Sequence, residues 1–200
     1  ILINNRPCDK QCIKDKISNH KARRTYFWKP FLKKPLLERV GPAPKSLVRL
    51  INLDNKLNDY PIGTKPAELS VEFKKDLDTA VTALPTRLKK YMEKYLTGIF
   101  IADNLGGTGY SDIVLDNGTP YAAYIVLDPK MLNSKANQWL TMKENSPFKQ
   151  SGEYRIQGVL EPESTNTRVN ALTFIFLHEL GHVVGAIEKA HQAWWTSEDG

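Results

Sequence analysis

Residues 169–187 read VNALTFIFLHELGHVVGAI. Ala171, Leu172, Phe174, Ile175, Phe176, Leu177, Leu180, Val183, Val184 and Ile187 cover nearly every side of a helix, and a helix that is apolar all round is expected to be buried. Asn166 or Thr167 can cap its start. Between 171 and 187 the strongly polar side chains are His178, Glu179 and His182, with Thr173 about one turn earlier. Burying an unpaired polar group costs roughly 1–3 kcal/mol. Three such groups together in an apolar helix call for one common explanation.

A zinc ion supplies it. His178 and His182 are four residues apart, so their imidazoles leave one face of the helix about one turn apart. Both can reach a single ion at about 2.0–2.1 Å. Glu179, next to the first ligand, points partly aside and is placed to contact a zinc-bound water rather than the metal. The ion lowers the pKa of that water to about 7 and the carboxylate accepts its proton. A purely structural zinc, closed by four ligands, has no use for that carboxylate.

This stretch resembles the zincin metallopeptidases, whose signature is His-Glu-x-x-His on a central helix. The match covers about residues 170–185, and the uncharged frame, Phe174 to Leu177 before it and Val183-Val184 after it, makes it more specific than the bare motif. The resemblance implies that His178 and His182 bind Zn2+ and that Glu179 is the general base of an endopeptidase. It also implies a β-sheet ahead of the helix, whose edge strand aligns an extended peptide substrate.

A catalytic zinc needs three protein ligands, and the third is open in the sequence. Metzincins follow the motif with x-x-Gly-x-x-His. Here Gly185 matches the glycine, but Glu188 stands at the histidine position. A helix broken at Gly185 would let Glu188 turn back, whereas a continuous one would point it away. Gluzincins use a Glu on a later helix, which makes Glu198 a candidate, and His191 is another. A ligand beyond Gly200 is the remaining option.

The stretch upstream supplies the expected sheet. Gly98–Ala102, Ile113–Leu115 and Tyr121–Leu127 are strand candidates, the last two flanking an Asn117-Gly118 hairpin signal. Tyr121–Leu127 is expected to be the substrate-aligning edge. Its apolar run Ala122–Leu127 also suits a central strand, with Gly98–Ala102 then at the edge. Gly106-Gly107-Thr108-Gly109 lacks the Lys-Ser/Thr of a phosphate loop and is read as a turn.

Before the sheet, Val71, Phe73, Leu77, Ala80, Val81 and Leu84 recur at helical spacing, and Pro85 opens a second helix. Ser46–Leu53 is a short apolar piece of open type, and Met131–Met142 is a helix or an irregular stretch. No apolar run approaches the roughly 18 residues of a membrane span, the longest lying around Ala171–Leu177.

The fold class expected is α+β: a zincin-like domain, residues 46–200, with a mixed sheet preceding a buried active-site helix and a C-terminal part that a third ligand beyond Gly200 would leave truncated here. Residues 1–45 are expected to form a basic, aromatic-rich arm. Residues 1–50 hold thirteen Lys/Arg against three Asp/Glu, a net +10, while the rest hold fifteen against nineteen, a net −4. The charge suits an anionic surface or partner, and nothing in its spacing matches a specific nucleic-acid module. The function class from outside enzymology is therefore a non-catalytic zincin-like protein docking through this arm. Cys8 and Cys12, the two cysteines, are spaced for a small loop disulfide. With a first residue other than Met, they point to a periplasmic, envelope-associated or secreted protein.

Overall fold

The computed structural model describes residues 8–130, 132–148, 154 and 156–190. In chain order the elements are α1 (Lys10–Ser18), α2 (Thr25–Leu32), β1 (Val40–Pro42), α3 (Lys45–Leu57), β2 (Lys65–Pro66), α4 (Val71–Ala83), α5 (Thr86–Tyr95), β3 (Leu96–Asp103), β4 (Gly109–Asp116), β5 (Thr119–Leu127), α6 (Ala136–Asn145) and α7 (Arg168–Ile187), with three short 3-10 turns between them. The architecture is α+β with a mixed sheet.

Local chemistry sets several of these boundaries. Ser70 caps α4, its hydroxyl accepting from the Phe73 N–H at 3.1 Å, and Thr167 caps α7 by accepting from the Asn170 N–H at 3.2 Å. Asn117 and Gly118 both take positive φ, 48° and 80°. That is the turn geometry whose twist matches two antiparallel strands, so β4 and β5 form the expected hairpin.

The sheet order is β1-β3-β5-β4, with β2 also pairing β3. Strands β1, β3 and β5 run parallel, and β4 and β2 run antiparallel to their partners. Strand β5 is thus central, flanked on both sides, which is why Ala122–Leu127 is wholly buried. The expectation of an edge at Tyr121–Leu127 is corrected, and so is its alternative at Gly98–Ala102, since β3 is also internal. The edge beside α7 is β4.

Alternate residues of each strand feed two cores. Ile99, Ile101, Ile113, Ala123, Ile125 and Leu127 face α4, α5, α6 and α7. Phe100, Ala102, Val114, Ala122, Tyr124 and Val126 face α1, α2 and α3. The segment expected as an arm supplies most of the second layer. Trp28 is fully buried, stacked on Tyr124 with centroids 5.3 Å apart, and its Nε1 donates to the Ala22 carbonyl at 2.7 Å. Buried Arg39 ties this segment to the sheet by donating to the carbonyls of Lys34, Glu93 and Leu96. A side chain at Gly98 would meet the Arg39 carbonyl at 2.6 Å, so only glycine lets β3 approach there. Cys8 and Cys12 are joined in a disulfide.

Candidate metal centre

Helix α7 lies against β4 and β5, burying Leu172, Ile175, Phe176, Leu180 and Val183 in the first core. By length and composition alone it could cross a membrane, which the short run Ala171–Leu177 did not suggest; here one side of it is core. It is not buried all round. Leu177, His178, Gly181 and His182 form an exposed stripe. The expectation of a fully buried helix is corrected to one with a solvated face, which carries the two imidazoles. The buried polar group of the trio is Glu179, 7% exposed.

On that open face the two histidines converge. Nε2 of His178 and Nε2 of His182 lie 3.3 Å apart, with the rings at 87° to one another. Two imidazole nitrogens bound to one tetrahedral zinc at about 2.0–2.1 Å stand roughly 3.3–3.4 Å apart. The pair therefore has the separation that one shared ion requires, and the donor chemistry fits zinc.

Glu179 sits one residue on and turns toward the start of β4. A Cβ added at Gly109 would lie 3.0 Å from its Oε1 and 3.4 Å from its Cδ. The missing side chain of Gly109 is the space the carboxylate fills. Among the described residues nothing hydrogen-bonds that carboxylate, which leaves it available as a proton acceptor.

The third-ligand candidates fare differently. The helix continues through Gly185 to Ile187 with no break. Glu188, which follows it, accepts from the Tyr91 hydroxyl of α5 at 3.0 Å, and burial together with this carboxylate raises the Tyr91 pKa. Glu188 is thus engaged elsewhere and is not brought to the histidines. Among the described residues no third His, Cys, Asp or Glu joins them. His191 and Glu198 lie outside the described residues.

Strand β4, over which Glu179 packs, is an edge of the sheet. The Asp128 N–H donates to the Thr108 carbonyl at 3.2 Å, so in this register Thr108, Tyr110 and Asp112 bond inward to β5. Gly109, Ser111 and Ile113 therefore turn their main-chain groups outward. The Ile113 N–H is taken by Asp112 Oδ1 at 2.8 Å, and Leu115 is bridged to Arg24. The open edge is thereby reduced to Gly109–Ser111, the end nearest Glu179. Neither Gly109 nor this edge was singled out in the sequence; the clue was the final glycine of a run read as a plain turn. No family model matches the chain, and neither the curated proteins nor the solved structures searched include one similar to it.

Proposed function

We propose that this chain is a zincin-like, zinc-dependent endopeptidase. The observation carrying that reading is the convergence of the His178 and His182 Nε2 atoms at 3.3 Å, beside a buried carboxylate that faces the open end of an edge strand. His178 and His182 would hold the metal, with His191 or Glu198 as candidate third ligand. When bound, zinc supplies a Lewis acid and acidifies water. The Gly109–Ser111 edge holds the peptide by main-chain hydrogen bonds whatever its side chains. Glu179 takes the proton of the attacking water and returns it to the leaving amine. Its burial keeps competing water off the carboxylate. The Cys8–Cys12 bridge supports work in an oxidising compartment, in the periplasm, at the envelope or outside the cell.

The test is hydrolysis of an unstructured protein such as reduced casein, followed by mass spectrometry of the fragments. Glu179→Gln should lose roughly 10²–10⁴-fold in rate. A rate equal to the wild type would sink the role of Glu179.

A second reading keeps the fold and drops the catalysis. A groove of about 770 Å³ between α1 and α3 is lined by Lys16, Lys21, Arg49 and Lys56. Among the described residues none of the four has a carboxylate partner, and burial first, then the charges of Lys21, Arg49 and Arg23, lower the His20 pKa. That positive groove favours an anionic partner.

A further inference from the structure

The start of β4 has two sides. On the first, Glu179 fills the space over Gly109. On the second, a cavity of about 390 Å³ opens, walled by Asp54 of α3, Tyr60, Asn104, Leu105, Gly109 and Tyr110. Its walls are fixed in place. The Thr64 hydroxyl donates to the Asn104 carbonyl at 3.1 Å, and the Leu105 N–H donates to Asp128 Oδ2 at 3.1 Å.

Asp54 is the charged group facing this cavity. It is partly buried, and among the described residues it has neither a hydrogen bond nor an ion pair to its carboxylate. Arg23 is the cation whose charge reaches Asp54, and Asp54 shares it with Asp112. Arg23 lies 3.8 Å from Asp112, and the same Asp112 oxygen accepts from the Tyr110 and Tyr124 hydroxyls at 3.3 and 3.2 Å. Lys10 pairs with Asp59 and Lys130 with Asp103. Burial first, and the charge of Asp112 second, raise the Asp54 pKa, with Arg23 opposing them. The fold thus carries, at a cost, a carboxylate that Arg23 compensates only in part, while Asp59, Asp103 and Asp112 each sit in an ion pair. Tyr60, 64% exposed at the rim, adds an aromatic face suited to a cation.

We propose that this cavity is a subsite for a cationic side chain, Lys or Arg, of a peptide laid along the Gly109–Ser111 edge, with Asp54 as the residue that selects it. A peptide paired with β4 alternates its side chains between the α7 face and the α3 face. One of them is thereby directed at Asp54 while the main chain passes Glu179. The inference rests on the edge-strand part of the function proposed above and names the substrate class of that site: basic peptides.

Binding tests it without requiring turnover. Full-length Glu179→Gln protein is titrated with fluorescent octapeptide pools in which one position, moved along the peptide, is Arg, Lys, norleucine or Glu. The Arg and Lys pools should bind about tenfold tighter than the norleucine pool, the scale of one charge-assisted contact. Adding Asp54→Asn should abolish that difference while the near-UV circular dichroism stays unchanged. Equal affinity of the Arg and norleucine pools, a preference that survives Asp54→Asn, or no binding of any pool overturns the proposal. Hydrolysis by the wild type is scored separately. A cationic preference in binding with no hydrolysis keeps the subsite and removes the peptidase; hydrolysis with no cationic preference does the reverse.

Discussion

Gly109 and Glu179 come from elements seventy residues apart in the chain and share one small volume. The absent Cβ of Gly109 leaves room for the carboxylate, since an added one would stand 3.0 Å from Oε1. Gly109→Ala should therefore leave the fold intact, because the atom displaced is the tip of a flexible side chain. The carboxylate must then give by a few tenths of an ångström, which should cost about threefold in kcat, a fraction of the roughly 10²-fold that a full ångström can cost. Wild-type thermal stability together with reduced kcat is the expected pair of results; unchanged kcat would mean that Glu179 does not need this seat. Asp54 makes an opposite kind of prediction. Its pKa is raised by burial and by Asp112, so the folded state holds its proton more tightly than the unfolded one. Its charge then weakens the fold as pH rises through the folded-state value, and this penalty vanishes in acid. Asp54→Asn should raise the melting temperature at pH 7 and make little difference at pH 4. A melting temperature lowered at pH 7 would show that the charge is internally compensated.

Helix α7 was legible because its chemistry is local: cap, apolar stripe and His-Glu-x-x-His all lie within twenty consecutive residues. The β4–β5 hairpin was legible for the same reason, through Asn117-Gly118. The strand order was not. Whether Tyr121–Leu127 is edge or centre depends on β3 arriving beside it, a pairing between residues 96–101 and 123–127 that no local pattern encodes. The helices of residues 10–32 were hidden by Pro30 and by dense charge, which mimic an extended arm; their order comes from burying Ile13, Ile17 and Trp28 on the sheet. Asp54 went unnoticed because it lies in α3, whose apolar residues gave only a short piece of open type. The same edge-strand geometry yields a test. The Ser111 N–H points outward in this register, so Ser111→Pro removes a substrate contact but no bond within the sheet. KM for a good peptide should rise about fivefold, the value of one net hydrogen bond, with little loss of stability. An unchanged KM would place the peptide elsewhere.

The described residues form one sheet with helices on both faces, and residues 8–45 of the basic N-terminal segment contribute to one of its layers. Trp28 touches Phe31, Phe100 and Tyr124, so Trp28→Ala should cost roughly 3–5 kcal/mol in urea unfolding and lower a single transition. Loss of one early transition, with the rest of the curve unmoved, would instead mark residues 8–44 as a separate unit. Cations line the groove between α1 and α3, while the start of β4 meets Glu179 on its α7 side and Asp54 on its α3 side. All of this depends on the two imidazoles holding a metal. The most direct measurement is elemental analysis of the purified wild type beside the His178→Ala/His182→Ala double variant, both dialysed against zinc buffered at low free concentration. The wild type should carry about one zinc per chain and the double variant essentially none, with matching far-UV circular dichroism. Equal zinc in the two proteins, or none in the wild type, would contradict the account.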